Sequence, residues 1–128
     1  MTQEDKELIF KELCARLPYH VKCKIWLKDG TTEEGALDLE HNYDNVLQDS
    51  FYYNKIKDIK PYLFPLSSMT EEEKEEYCQL QQRVIYNSKG VINEDVTKYI
   101  NWCYKKHLDI NNLIPMELAI DATNLNIY

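Results

Sequence analysis

The residues best spaced for chemistry lie near the end of the chain, where Cys103, His107 and Asp109 follow one another at short intervals. On a helix Cys103 and His107 would share one face and could bind a metal ion, but two ligands do not complete a zinc site. Asp109 could orient the His107 imidazole, yet His107 falls at a predicted helix end, where histidine is also favoured by the helix dipole. We therefore interpret these residues as structural and predict no metal site.

The other candidates for catalysis have no partner in the sequence. Ser67 and Ser68 lack the flanking glycines of a nucleophile elbow and are better explained as helix caps. No histidine lies in an H-E-x-x-H pattern, and the three glycines form no phosphate-binding loop. We therefore predict that the protein is not an enzyme and needs no cofactor.

Aromatic side chains are the more informative feature, since the chain contains ten Tyr and two Trp. Trp26 falls on the polar side of an alternating segment, beside Lys24 and Lys28. Aromatic residues on a solvated face often anchor interfaces. Trp26 is therefore a candidate partner-binding residue. Three tyrosines that fall in or near turns are further candidates: Tyr43, Tyr52 and Tyr53. The alternative is that Trp26 packs under a helix and belongs to the core.

A helix and a hairpin would position Trp26. Thr2 can cap a helix whose apolar residues repeat at helical spacing until Pro18 ends it. Residues 21–27 then alternate apolar and polar side chains, which predicts a half-buried strand. Asp29-Gly30 predicts a tight turn into a return strand over about residues 31–40.

Further elements are predicted downstream: short strands at about residues 51–53 and 56–60, helices at about residues 70–87 and 93–107, and an apolar tail at residues 118–128. Thr70 and Glu73 have the spacing of a capping box, which marks the start of the second helix. The tail is too apolar to remain free, so we expect it to dock as an extended segment.

Segregated strands and helices predict an α+β fold. We expect an N-terminal helix, then a small curved antiparallel sheet or five-stranded barrel within about residues 21–60, then two or more C-terminal helices and the docked tail. The 128 residues are the length of one domain. Residues 1–66 would form the helix and small β-barrel, and residues 67–128 a helical extension packed on it.

The charge of the chain disfavours nucleic acid as a partner. The formal net charge is −7, and residues 31–54 contain six acidic residues but no Lys or Arg. Arg16 and Arg83 are the only arginines, so bidentate contacts to phosphates are scarce. An acidic run beside exposed aromatics would instead attract a basic patch on a partner protein.

The sequence contains no apolar run of the roughly 20 residues that a membrane span needs. Its first residues do not resemble a secretory signal, so we expect a cytoplasmic protein that does not bind membranes. The cysteines, Cys14, Cys23, Cys78 and Cys103, are scattered and form no C-x-x-C pair. In the cytoplasm we expect free, mostly buried thiols. A monomer or dimer is favoured.

Three segments carry a family resemblance: IKPYLFPLSSMTEEEKEEY at residues 59–77, KELCARLPYHVK at residues 11–22 and HLDINNLIPMELAIDATNLNIY at residues 107–128. Together they resemble a family of small uncharacterised proteins of gut anaerobes, their phages and mobile elements. The sequence departs from that family at Phe64, where a basic residue is usual, and at residues 110–112, where an aromatic, a basic residue and Gly are usual. The resemblance implies a biological setting, an accessory factor of a phage or mobile element, and no mechanism.

A second similarity lies in LKDGTTEEGALDLEHNYDNVLQD, residues 27–49, which resembles the first signature of Sm-like RNA-binding proteins. Gly30, Gly35 and Leu37 fall in register with it, as does Asn45, whose counterpart in those proteins contacts a base. The resemblance therefore adds Asn45 to the candidate partner-binding residues. The second signature, an Ile or Leu followed by Arg-Gly, is absent, and His41 replaces an acidic residue.

Two functions follow from these observations. The first is a non-enzymatic protein-interaction factor that uses the sheet and its turns. The alternative is an Sm-like RNA-binding module.

Overall fold

The computed structural model describes residues 2–36, 56–86 and 93–128. Its helices are α1 (Gln3–Arg16), α2 (Glu71–Tyr86) and α3 (Asn93–Lys105), with short 3-10 turns at Leu17–Tyr19 and Leu66–Ser68. Its strands are β1 (Lys22–Leu27), β2 (Thr32–Ala36), β3 (Ile56–Leu63) and β4 (Ile120–Asp121). This order confirms the predicted α+β fold, with an N-terminal helix, a small sheet and two C-terminal helices.

Helix α1 begins where its capping residues predict. The Asp5 backbone N–H donates to Thr2 Oγ1 at 3.0 Å, and the Thr2 N–H donates to Asp5 Oδ2 at 3.1 Å. These reciprocal bonds satisfy amides that a helix start leaves without partners. Ile9 and Leu13, one helical turn apart, are fully buried. The helix ends at Arg16, just before the 3-10 turn that contains Pro18.

The sheet is mixed rather than antiparallel. Its order is β2-β1-β3-β4; β1 pairs antiparallel with β2 and β3, whereas β4 pairs parallel with β3. The predicted confinement of the strands to residues 21–60 was wrong, because the C-terminal tail supplies β4. Within the described residues the four strands form an open sheet and not a closed barrel.

Strand β3 runs through Pro61, beyond the predicted strand end at about residue 60. Pro61 lies opposite Cys23, and β3 continues to Leu63. The Leu63 carbonyl accepts from Ala122, so the backbone groups of Leu63, and of Pro61 two residues before it, face the β4 side of the strand. Strand β4 pairs only with Tyr62 and Leu63, so the missing N–H of Pro61 leaves no ladder bond unmade. The predicted strand at residues 51–53 lies outside the described residues.

One core cluster joins both halves of the chain. It lies between α1, one face of the sheet and the segment after α3, and contains Ile9, Leu13, Val21, Cys23, Ile25, Ile59, Leu63, Leu113, Leu118 and Ala119. The predicted tail therefore docks, and its Ala122 N–H donates to the Leu63 carbonyl at 2.8 Å. The opposite face of the sheet is free of this cluster.

Helix α2 packs against α3 through one partly buried face. Its contact with α3 is aromatic: the rings of Tyr77 and Tyr99 lie 5.6 Å apart, and the Tyr99 hydroxyl donates to the Tyr77 hydroxyl at 3.0 Å. No residue of α2 is fully buried, and Ile85 is 65% exposed. The acidic α2 sequence therefore has one packed face and a broad solvated one.

The expectation of mostly buried thiols was half wrong. Cys23 and Cys103 are buried, whereas Cys14 and Cys78 are exposed, and all four are free. Of the described helices, none combines the length and the apolar character that crossing a bilayer requires.

Candidate interaction surface

Trp26 lies on the sheet face that points away from the core. Along β1, Cys23 and Ile25 are buried, and Lys22, Lys24 and Trp26 between and beside them are half-buried. This alternation follows from the two-residue repeat of a strand. Trp26 is not part of the core cluster.

Two lysine side chains approach the Trp26 ring. Lys24 Nζ lies 5.4 Å and Lys60 Nζ 5.8 Å from the ring centroid, both within the range of cation–π contacts. Lys24 was expected there, but the second neighbour is Lys60 of β3 and not Lys28, which follows the end of β1 and is exposed. Lys60 reaches the ring because β3 pairs with β1 and sets Lys60 directly opposite Lys24.

The surface around this ring combines apolar area with charge. Trp26 pairs across the sheet with Thr32 on one side and Asp58 on the other. We call Lys24, Trp26, Thr32, Asp58 and Lys60 the Trp26 face. A flat aromatic ring with cations over it and polar groups at its border has the composition of an interface anchor.

Two carboxylates of the described residues belong to this face or border it: Asp58, and Glu34 of β2, which lies directly opposite Lys24. Both accept hydrogen bonds. Asp58 Oδ1 accepts from the Ile59 backbone N–H at 2.9 Å. Glu34 Oε1 accepts from the Tyr62 hydroxyl at 2.6 Å. Burial and this bond to Glu34 raise the pKa of Tyr62 to about 12. Among the described residues, neither carboxylate forms an ion pair with Lys24 or Lys60.

The C-terminal tail covers the neighbouring part of the same sheet face. The Lys22 N–H donates to the Tyr128 hydroxyl at 2.8 Å, and that hydroxyl donates to the Tyr62 carbonyl at 2.8 Å. Lys22 and Tyr62 lie one position beyond the Cys23–Pro61 pair, at the end of the ladder between β1 and β3. The Tyr128 hydroxyl therefore bridges the two strands where the next ladder bond would lie. The tail thus forms one border of the exposed surface.

His107 ends α3 as a cap. Its φ is 57°, its N–H donates to the Tyr104 carbonyl at 3.0 Å, and the Leu108 N–H donates to the Cys103 carbonyl at 3.0 Å. These are the two bonds of a Schellman motif, in which Gly is the usual left-handed residue. The His107 ring stacks on Tyr128, with centroids 3.7 Å apart and an angle of 13°.

The groups predicted to be structural near His107 do not form a catalytic or metal arrangement. The Asp109 carboxylate accepts from the backbone N–H groups of Leu113 at 2.8 Å and Ile114 at 2.9 Å, so it orders the loop after α3. Burial raises the pKa of the Cys103 thiol to about 11, which disfavours the thiolate that a metal or a nucleophilic reaction needs. Across residues 2–36, 56–86 and 93–128, no three potential metal ligands cluster together.

Acid is expected to destabilise the protein through His107. Burial, with the charges of Arg16 and Lys22, lowers the pKa of His107 from 6.5 to about 4. Between these two pKa values the imidazole is protonated in the unfolded chain but neutral in the folded protein. The free energy of unfolding therefore falls as the pH decreases from about 6.5 towards 4. After allowance for the partial exposure of the ring, this loss is about 1–2 kcal/mol.

Chemical unfolding at pH 7 and pH 4.5 measures this effect. His107→Asn keeps a residue that tolerates the left-handed conformation and removes the titrating ring, so its loss on acidification should be smaller than that of the wild type. His20→Asn is the matched control, because His20 is also left-handed, with φ 56°, but is exposed. Equal acid losses in His107→Asn and the wild type would contradict the assignment.

A cleft of about 430 Å³ lies between the 3-10 turn at Leu66–Ser68, the end of α3 and the tail. Its lining includes Ser68, Lys106, His107 and Tyr128. Ser68 Oγ donates to the Pro65 carbonyl at 2.7 Å, and Lys106 Nζ lies 3.9 Å from Glu73. The described lining therefore pairs no nucleophile with a base.

Neither the remaining candidate residues nor a comparison with known proteins gives further information on the site. Four of the predicted site residues, Tyr43, Asn45, Tyr52 and Tyr53, lie outside the described residues. The chain matches no family model, no curated protein and no solved structure. Its function is therefore inferred from the Trp26 face.

Proposed function

We propose that the protein is a non-enzymatic interaction factor that binds a partner protein on the Trp26 face. One observation supports this proposal above all: Trp26 lies half-buried on the sheet face opposite the core, with the ammonium groups of Lys24 and Lys60 over its ring. Tryptophan is the residue most enriched among binding hot spots, where a ring is desolvated by the partner. Tyr43, Asn45, Tyr52 and Tyr53 remain candidate contributors to the same interaction.

The proposed setting is the cytoplasm of a bacterial cell, with the protein acting as an accessory factor of a phage or mobile element. This setting is supported by the resemblance of residues 11–22, 59–77 and 107–128 to proteins of such elements. Either a monomer or a dimer is compatible with one free binding face per chain.

Single-stranded RNA is the second candidate partner. An aromatic ring flanked by cations is the combination on which bases stack in single-strand-binding proteins, and Lys24, Trp26 and Lys60 provide it. Against this stand the net charge of −7 and the exposed carboxylate of Glu34 on strand β2, which lies directly opposite Lys24. Both would repel a phosphate backbone that crosses this face of the sheet.

Affinity purification of the tagged protein from its native host, with mass spectrometry and RNA sequencing of the eluate, tests the two candidates together. Fluorescence anisotropy with labelled uridine-rich and mixed RNA at low salt, and size-exclusion chromatography, complete the test. We expect a co-purifying protein, no RNA binding at micromolar concentration and a monomer or dimer. Micromolar RNA binding by a ring-shaped oligomer would overturn the protein-partner proposal.

A further inference from the structure

We infer that the partner presents a carboxylate to the Trp26 face, bound by the ammonium groups of Lys24 and Lys60. This inference rests on the proposed function and names the chemistry of its partner as an acidic segment of a protein. It revises the expectation of a basic partner, which followed from the acidic run in the sequence and not from the groups beside Trp26.

The first observation is a like-charge pair across the sheet. Lys24 and Lys60 are direct partners in the antiparallel register of β1 and β3. Like charges placed directly opposite each other destabilise a sheet. Lys24 also lies directly opposite Glu34 of β2, but neither ammonium forms an ion pair with a carboxylate of the described residues; Glu34 accepts from the Tyr62 hydroxyl and Asp58 from a backbone amide. Glu34 and the Trp26 ring offset part of the repulsion between the two lysines, and both ammonium groups keep room for a further anion.

The second observation is that both cations converge on one ring. Because Lys24 Nζ and Lys60 Nζ lie 5.4 and 5.8 Å from the same centroid, an anion beside Trp26 can interact with both. A carboxylate would accept hydrogen bonds from the two ammonium groups, while the apolar side chain next to it covers the ring. Charge-assisted bonds of this kind are stronger than neutral ones, and the ring excludes water from them.

The size of the cationic spot favours a protein segment over a nucleic acid. Two lysines satisfy one or two carboxylates, whereas a phosphate backbone carries a charge at every nucleotide. The next strand, β2, presents Glu34 on the same side of the sheet as its partner Lys24, and this carboxylate repels an extended polyanion. A single acidic residue within an apolar segment meets less of that repulsion than a chain of phosphates does.

Trp26 fluorescence provides a direct test. In a Trp102→Phe background, whose fold is checked by circular dichroism, Trp26 is the only remaining tryptophan. The probes are the blocked peptide acetyl-Glu-Leu-Glu-amide, its acetyl-Lys-Leu-Lys-amide counterpart and a ten-nucleotide oligouridylate. We expect the acidic peptide to change the emission at millimolar concentration, at least fivefold below the concentration that the lysine peptide requires, and to lose this advantage in 0.5 M NaCl.

Lysine variants in the same background make the test specific. Lys24→Gln and Lys60→Gln should each weaken the acidic peptide at least fivefold without lowering the unfolding temperature by more than about 2 °C. Lys57→Gln is the matched control, since Lys57 is an exposed lysine of the same strand β3. Equal responses to the two peptides, or lysine variants that bind like the wild type, would overturn the inference.

Two further outcomes separate this inference from the function on which it rests. A tighter response to oligouridylate than to the acidic peptide would assign the two cations to nucleic acid and overturn the acidic protein partner. If the partner captured from the host is lost with Trp26→Ala but kept with both lysine variants, the binding face stands and the carboxylate inference fails. If it is kept with all three, the proposed binding face fails as well.

Discussion

Glu12→Gln is expected to lower the free energy of unfolding by about 3–5 kcal/mol, the largest effect of any polar substitution proposed for this protein. Glu12 is 3% exposed and Arg16 is completely buried. Glu12 Oε2 lies 2.8 Å from Arg16 Nε, and the Arg16 Nη2 group donates to the Leu108 carbonyl at 2.6 Å. The substitution would leave a buried guanidinium without a counter-charge.

The neighbours of this pair explain why the loss should be large. The second Glu12 oxygen accepts from the Asn111 side chain, and the guanidinium lies 4.7 Å from the Tyr104 ring centroid. The pair therefore ties α1 to the end of α3 and the loop beyond it. Arg16 Nη1 already lacks a hydrogen-bond partner among the described residues, so no spare acceptor can compensate.

Urea unfolding followed by circular dichroism measures the effect. Glu7→Gln on the exposed side of α1 is the control and should change stability by less than about 0.5 kcal/mol. The double variant Glu12→Met with Arg16→Met should be more stable than Glu12→Gln, because it removes the buried charge together with its partner. A Glu12→Gln variant within about 1 kcal/mol of the wild type would show that the guanidinium is solvated.

Ile25→Ala is expected to cost about 2–4 kcal/mol, and Trp26→Ala less than half as much. The two residues are neighbours on β1 but face opposite sides of the sheet. Ile25 is 6% exposed and belongs to the core cluster, opposite Ile59, so its truncation leaves a cavity. Trp26 is half-buried and outside the cluster, so truncation of the larger side chain mainly exposes lysine stems.

Thermal and urea unfolding of both variants, made in parallel, give this comparison. The size of the side chain alone would predict the reverse order, so the ranking reports which face is the core. If Trp26→Ala unfolds the domain or costs as much as Ile25→Ala, Trp26 is a core residue and the interface proposal loses its anchor.

Elements with local signals were predictable from the sequence. Thr2 with Asp5 and Thr70 with Glu73 form reciprocal side-chain to backbone bonds at the two predicted helix starts. The turn at Asp29-Gly30 joins β1 and β2 as expected, with Gly30 at φ 91°. Each of these signals depends on residues within a few positions of one another.

The long-range pairings were not predictable in the same way. Strand β4 has two residues, too few for a periodic pattern. It joins the sheet because it pairs with Tyr62 and Leu63 of β3 and because the N–H of Ala122, which follows it, donates to the Leu63 carbonyl. The bond from Arg16 to the Leu108 carbonyl spans most of the chain and has no sequence signature. The only sequence signal for the burial of Arg16 is Glu12, which lies one helical turn before it and can pair with it.

The candidate site was half predictable for the same reason. Alternation along β1 placed Trp26 on the outward face and Lys24 beside it. Lys60 could not be assigned to that ring, because its position depends on the register between β1 and β3 and not on spacing along the chain. The roles of Tyr43, Asn45, Tyr52 and Tyr53 stay predictions, since these residues lie outside the described part of the chain.

The amount of partner captured from the native host by Trp26→Ala, relative to the wild type, tests the central claim most directly. The variant is compared at a temperature where circular dichroism shows it to be folded, and Tyr86→Ala, which removes an aromatic that is 80% exposed at the end of α2, is the control. We expect Trp26→Ala to retain less than about one tenth of the partner, as for a hot-spot residue, and Tyr86→Ala to retain nearly all of it. A folded Trp26→Ala variant that captures the partner as well as the wild type would contradict the assignment of the Trp26 face as the binding surface.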